Sequence, residues 1–530
     1  MKRSVASRVH PSSTGDGSRR AGAMTGMLLI SRVLGVLRDA LLTTLLGATP
    51  IADALRAALK IPATIRDLLS EGAISAAFIP GHQEQKNRGG IEAASDYSRA
   101  VVTLLLLLCG FLVSTLWWWA PDLIELIAPG LEASQLSSDL LRSLLPYLLV
   151  VPFLAVLRGI LLGADRTRSA VASQVLQNAV LVAAGAAMVY SGLSLVDGAN
   201  GWTRAFLGGS VVGLLLMGWV ARRVEPMPIP TWKIWVPGIG RLLGDCAILL
   251  VTTGLTYINS IIAMRFASEL GTGSITHLEN AFRFHFLPIG LIGVALGTVA
   301  GVDAARLVSR TWWRALARRI GRNQRNALFI SLPAAAGLAI LSEPLIRLIL
   351  QHGQFAAADT QKTVETLRIY CLAIPFSCLL PALMRTALAM KKRGLILLAV
   401  LVGVSVNILF IWLLAGTHGV PGLAAASVIS TVASWLLLEV GLRRSLALPK
   451  PRISALFTNL LVTGGVAAAA FLFTAIAASL ETQFWLLDAV TVTISALAGI
   501  SIATGLGRLV RSTEAQSMKQ MISAALNRKS

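Results

Sequence analysis

Charge is scarce in this chain. Of 530 residues only 14% are Asp, Glu, Lys or Arg, 55% are hydrophobic, and the mean hydropathy is +0.71. Soluble proteins carry about a quarter charged residues, so a chain built mainly of water-facing domains is excluded and a polytopic membrane protein is implied. Acid is scarcer than base, with 26 Asp+Glu against 47 Lys+Arg and a formal net charge of +21. In a soluble protein that surplus would point to nucleic acid. In a membrane protein the positive-inside rule accounts for it, and no nucleic-acid partner is needed. Cysteine is nearly absent. Cys109, Cys246, Cys371 and Cys378 sit in apolar stretches without C-x-x-C spacing, so neither a disulfide framework nor a metal site is indicated. No G-x-x-x-x-G-K-[ST] motif occurs, which argues against ATP as the direct energy source, and G-x-S-x-G and H-E-x-x-H are missing too. No cofactor is implied.

What is present in quantity is long apolar runs. A helix needs about 20 apolar residues to cross the hydrocarbon core, and the sequence offers about fourteen candidates. Six lie near 23–48, 54–80, 98–120, 139–163, 169–191 and 202–221. Six more lie near 242–267, 274–301, 326–349, 364–390, 394–415 and 420–442, and a last pair near 454–478 and 484–507. The basic, Ser/Gly-rich segment 1–21 reads as a retained cytoplasmic tail, because Arg32 interrupts the run behind it and no small-residue cleavage site follows. Counting Lys and Arg from a cytoplasmic N-terminus puts 33 inside and 2, Arg347 and Lys362, outside. One missed span would invert every later loop, so this ratio supports the count and places both termini in the cytoplasm.

The chain also repeats itself at an offset of about 222 residues. Leu123–Ile127 aligns with Leu345–Ile349, Tyr147 and Pro152-Phe153 with Tyr370 and Pro375-Phe376, and Arg222-Arg223 with Arg443-Arg444. Six spans per half give both halves the same orientation, so an axis along the membrane normal should relate them, with a cleft between two similar bundles. The expected organisation is a tail 1–21, lobes 22–223 and 224–445, two added helices in 446–510 and a tail 511–530.

Twelve bases remain inside spans: Arg32, Arg38, Arg56, Lys60, Arg66, Arg142, Arg158, Arg204, Arg265, Arg283, Arg368 and Arg385. Those near helix ends, such as Arg142, Arg204 and Arg368, can snorkel. Each mid-span arginine costs about 2.5–3.5 kcal/mol in lipid, so these should face a hydrated or protein-lined cavity. On the second span Asp53, Arg56, Lys60, Thr64, Asp67 and Glu71 fall within about 80° of one another at about 100° per residue. They form one charged stripe, with a bend expected at Pro62. On the first span Arg32 and Asp39 share a face and Arg38 points elsewhere. Arg283 has only Glu279 as a local acid. A buried ion-pair network would account for the acids and Lys60. Arginines short of partners in a cleft invite an anion, and a bidentate guanidinium suits phosphate. His277 and His285 lie two turns apart without an acid or cysteine to complete a metal site.

Several of these residues form a recognisable set. Ser31-Arg32-Val33-Leu34-Gly35, Arg38-Asp39, Ala52-Asp53-Ala54, Lys60-Ile61-Pro62, Arg66, Glu71-Gly72-Ala73 and Ser75 through Ala77-Phe78 to Pro80 resemble the N-terminal signature of the MurJ/MviN family of lipid II flippases. That family sits within the multidrug, oligosaccharidyl-lipid and polysaccharide exporter superfamily. Arg283, Pro288, Gly290 and Gly293-Val294-Ala295-Leu296-Gly297-Thr298 resemble its eighth-helix motif. Asp67 stands where a second base is expected, Phe286 where a polar residue is usual, and Arg265 where an apolar or acidic residue is usual.

The resemblance implies transfer of lipid II, the undecaprenyl-pyrophosphate-linked peptidoglycan precursor, to the outer leaflet of the bacterial cytoplasmic membrane. It implies Arg32, Arg38, Arg66 and Arg283 as the cationic substrate site. Asp39, Asp53, Arg56, Lys60, Asp67 and Glu71 are expected to form the charge network around it. It also implies that the two added helices form a groove for the lipid tail. Cell-wall synthesis proteins are possible partners. The alternatives are an exporter of another polyprenyl-linked glycan, a non-transporting scaffold of wall synthesis, or a membrane enzyme using Asp53 or Glu71 as base. The last lacks the large extramembrane loop expected for a second substrate, the longest loop being about 24 residues.

Overall fold

The computed structural model describes residues 14–69, 74–446, 448, 453–479 and 485–509, all helices and their connections. The first half comprises α1 (Thr14–Leu46), α2 (Pro50–Arg66), α3 (Ile74–Trp118), α4 (Ala120–Ile127), α5 (Ser134–Leu144), α6 (Tyr147–Gly163), α7 (Thr167–Tyr190) and α8 (Leu195–Ala221). The second comprises α9 (Ile239–Ser268), α10 (Ser274–Pro288), α11 (Val294–Ser309), α12 (Trp313–Ile340), α13 (Ser342–Leu350), α14 (Ala357–Cys371), α15 (Ile374–Ala389) and α16 (Arg393–Arg443). α17 (Ile453–Ser479) and α18 (Trp485–Leu509) follow. The tail 511–530, most of 1–21 and the charged-stripe residue Glu71 lie outside the described residues. α1 starts at Thr14 rather than near 22, since the Arg and Ala there are good helix formers.

Two helices are long because they fold back on themselves. In α3, Gly89 and Gly90 leave helical geometry, and Gly90 takes φ 72°, ψ −162°, a region open essentially to glycine alone. Phe78 then stacks on Tyr97 at 5.8 Å. In α16 the break falls at Gly419, with φ 60° and ψ −141°. Across it Ser430 Oγ donates to Gly403 O at 2.7 Å and Ser434 Oγ to Ala399 O at 3.1 Å, the pairing of an antiparallel hairpin.

Among the described residues, six helices are long and apolar enough to span a bilayer alone. Counting the bent pairs α5–α6 (43°), α12–α13 (65°) and α14–α15 (47°) as single spans makes nine. That is fewer than the fourteen expected from the sequence. The α16 hairpin counts once there although its two arms cover two expected stretches, and α2, at 17 residues, is too short to count by itself. Pro62 does not break α2. The helix runs through it to Arg66 and loosens into a π-turn at 67–69. A second π-turn, Ile289–Gly293, follows Pro288 and joins α10 to α11.

Contacts between the halves join positions about one repeat offset apart. Asp53 meets Thr276, 223 residues away, and Lys60 meets Glu279, 219 residues away. At one end Gln354 N donates to Thr44 O at 3.0 Å and Gly130 N to Ser268 Oγ at 3.2 Å. Shifted by the offset, each pair falls within two residues of the other with the halves exchanged. α17 and α18 dock on α12 through Val462, Ala503 and Phe329. Arg347 on α13 grips the buried Asp488 of α18 with two hydrogen bonds of 2.7 and 2.6 Å.

Candidate functional site: a charged cleft between the halves

α2 is set up by its first turn. Thr49 caps it by accepting from Ala52 N at 3.3 Å, and Pro50 occupies a position where its missing N–H costs nothing. From there Asp53, Arg56 and Lys60 recur every three or four residues and face α10. The Asp53 carboxylate sits at the N-terminus of α10, whose own N-cap is Gly273 and offers no side chain. It accepts from Gly273 N at 2.7 Å, Thr276 N at 2.9 Å and Thr276 Oγ1 at 2.7 Å. A carboxylate from one half thus caps a helix of the other, where the helix dipole favours negative charge. One turn on, Arg56 is 3% exposed and donates to Asn280 Oδ1 at 2.9 Å. Its other nitrogen lies 3.6 Å from Glu279, which also receives Lys60 Nζ at 3.0 Å.

Further along the cleft, Asp39 of α1 takes two arginines. Arg38 donates to Oδ1 through Nε and Nη2 at 3.0 and 2.9 Å, while Arg283 of α10 donates to Oδ2. Arg38 also reaches Asn178 Oδ1 on α7 at 3.0 Å. Arg32 donates to Gly290 O at 2.9 Å, within the π-turn after α10. A Cβ at Gly290 would lie 2.9 Å from that guanidinium, so a larger residue there would displace the Arg32 head. Arg66 pairs with its neighbour Asp67 at 2.6 Å and stands within electrostatic reach of Arg38 and Arg283. It also borders a cavity of about 40 Å³ with Arg158, Gln174, Gln177 and Ser210. That space suffices for a few water molecules.

Three sequence expectations are corrected here. Arg38 does not point away from Asp39, because its long side chain curls back onto the neighbouring carboxylate. Arg283 does not depend on Glu279. That acid is held by Arg56 and Lys60, and Arg283 crosses to α1 instead. The arginines are therefore not short of partners, since a single Asp39 serves two of them. They are not sealed off either: Arg283 remains 41% exposed. The described charges of the cleft are six cations (Arg32, Arg38, Arg56, Lys60, Arg66, Arg283) and four acids (Asp39, Asp53, Asp67, Glu279), a surplus of two positive charges.

Other singled-out residues have structural partners. Arg265 donates to Leu126 O, tying α9 to the end of α4. His277 is buried, 3.0 Å from Thr363 Oγ1 and 3.6 Å from Asp359, and His285 stacks on Tyr370 at 5.2 Å. Sequence reasoning missed Asn178, Thr276 and Asn280, the neutral members that orient the charged ones. A polar residue inside an otherwise apolar span was the available signal.

A family model described as lipid II flippase MurJ matches residues 42–494. A probable lipid II flippase MurJ of Rhizobium meliloti (strain 1021) is 29% identical over 426 residues, covering 79% of each chain. One from Vibrio cholerae is 26% identical over 506 residues, covering 92% of this chain and 94% of its own. Among solved structures, lipid II flippase MurJ in an inward closed conformation superposes with a TM-score of 0.76 at 22% identity, over 92% of this chain and 98% of that one. An inward-facing multidrug-resistance MATE transporter of the MOP superfamily gives 0.64 at 19% identity, over 79% and 98%. The fold is thus shared with both transporter groups, and by the match over most of its length this chain belongs to the MurJ family of lipid II flippases.

Proposed function

We propose that this protein moves lipid II from the inner to the outer leaflet by alternating access, and that its pyrophosphate is received by Arg32, Arg38, Arg66 and Arg283. The observation that carries this is the convergence of α1 and α10 on Asp39. That carboxylate holds Arg38 and Arg283 side by side with unused N–H donors. A pyrophosphate diester carries two negative charges, and the described residues of the cleft present a positive surplus to meet them. Phosphate oxygens accept fork-like pairs of N–H donors as a carboxylate does. The anion can therefore take over Arg283 from Asp39, and the empty site is held by an internal carboxylate rather than by bare mutual repulsion.

The cleft reads as open toward the face carrying the basic loops, because the opposite end is joined by Asp53 on α10, Gln354 on Thr44 and Gly130 on Ser268. In this reading the chain crosses the membrane fourteen times with both termini cytoplasmic, as lobes 22–223 and 224–445 with an added pair in 446–510. Asp39, Asp53, Arg56, Lys60, Asp67 and Glu71 set the charge balance of the cleft. The headgroup crosses within it while the polyprenyl chain stays in lipid along the added pair. Moving a charge of −2 outward gains about 2.3 kcal/mol per charge per 100 mV, so the membrane potential favours export. Cell-wall synthesis proteins are natural neighbours, as sources and consumers of the same lipid.

The test is the accessibility of lipid II on the outer surface of cells in which this protein is the sole flippase. Arg38→Ala and Arg283→Ala are expected to leave lipid II inside at normal protein levels. Normal outward exposure in both would overturn the assignment.

A further inference from the structure

Away from the cleft, on the face that carries the basic loops, the segment between α8 and α9 packs against the α3 hairpin around a cavity of about 550 Å³. Its walls include Glu84, Gln85 and Arg88 of α3, Trp235, Gly238, and Gly240 and Arg241 in the first turn of α9. Four features converge on it. α9 follows Gly238, whose φ of +96° favours glycine, and it starts with no side-chain cap and no acid in its first turn. Arg88 and Arg241 come from the two sides and are held together by Glu84, at 2.6 and 2.9 Å. Glu84 engages one terminal nitrogen of each guanidinium, so the remaining donors are open. Gln85 is only 7% exposed and lines the cavity, with its carboxamide Nε2 beside Gly238 at the start of α9. Its side chain forms no hydrogen bond among the described residues, so its N–H donors are free for whatever occupies this space.

We infer that this cavity binds the phosphate of an anionic phospholipid headgroup. Uncapped helix N–H groups, two guanidiniums and a carboxamide N–H are the donors such a group takes. With two arginines and one glutamate the site keeps a net positive charge. Position selects a lipid rather than a dissolved phosphate. Trp235 lines the cavity, Trp232 is 99% exposed, and Ile229 and Lys233 project beside them. Exposed indoles interleaved with bases mark the level of the headgroups. The site shares no residue with the charged cleft, and it stands whether or not lipid II is the cargo.

The experiment is native mass spectrometry of the full chain released from nanodiscs of phosphatidylcholine, with and without phosphatidylglycerol. Arg241→Gln and Gln85→Leu are compared with wild type, and a parallel arm titrates inorganic phosphate into phosphatidylcholine discs. Wild type is expected to retain phosphatidylglycerol, and each variant to retain about tenfold less at unchanged thermal stability. Arg241 is exposed, so its replacement does not threaten the fold if Gln85→Leu should. Equal retention by Arg241→Gln and wild type would overturn the site. Saturation by inorganic phosphate without retention of phosphatidylglycerol would overturn the lipid as its ligand.

Discussion

Replacing Asp53 by Asn is a one-atom change at the junction that closes one end of the cleft. Asp53 Oδ1 accepts both the amide and the hydroxyl of Thr276, and Oδ2 accepts the amide of Gly273. Asn can keep the first oxygen but must turn its NH2 toward the Gly273 N–H, so a donor faces a donor. The loss is one hydrogen bond to a charged group, about 1.5–3 kcal/mol, plus the carboxylate's interaction with the α10 dipole, about 0.3–1 kcal/mol. Together these shift the balance between closed and open junction by about 2–4 kcal/mol, a factor of about 30 to 1000. Spin labels at Gln135 and His352, exposed positions on the two halves near this junction, report it by electron–electron resonance distance measurement. Wild type is expected to give one short distance, and Asp53→Asn a second, longer population. An unchanged distribution in Asp53→Asn would refute the view that this carboxylate holds the halves together.

Other residues give sharper local tests. Glu279→Gln leaves Arg56, 3% exposed, and Lys60 without their charged partner, and thermal unfolding in detergent should show a loss on the order of 3–5 kcal/mol. Asp488→Asn releases Arg347, so hydrogen exchange should rise in α18 while the cleft stays protected, and equal protection would deny the anchoring role. Glu225, in the segment after α8, is buried, which alone would raise its pKa. Hydrogen bonds of 2.8 Å to His82 and 2.7 Å to Lys86, with their charges, hold it below the usual carboxylate range. A depressed carboxylate stabilises fully above its unfolded pKa of about 4.3 and loses that stabilisation as pH falls through the lower folded value. Wild-type stability should therefore fall below about pH 4 more steeply than that of Glu225→Gln, and parallel profiles would contradict the pairing.

The helical membrane architecture was legible from composition and apolar runs, and the charged face of α2 from spacing alone, because helical periodicity is a local property. The partner of Arg283 was not. Arg283 reaches Asp39, 244 residues away, a pairing across the cleft that no local spacing announces. The turn at Gly290 was visible as part of a motif, but its purpose, to expose a carbonyl to Arg32 and leave room for the guanidinium, is a tertiary fact. Asn178 and Asn280 stayed hidden because a neutral amide in an apolar span has many roles and declares its partner only in three dimensions.

The central claim is that the arginines gathered around Asp39 receive a pyrophosphate. Its most direct measurement is the affinity of the purified protein for lipid II, compared with that of Arg283→Ala and Arg38→Ala, at two salt concentrations. The account predicts affinity at least tenfold weaker in each variant, since a charge-assisted bond is worth about 1.5–3 kcal/mol, with a smaller loss on added salt than in wild type. Wild-type affinity and wild-type salt dependence in both variants would contradict it.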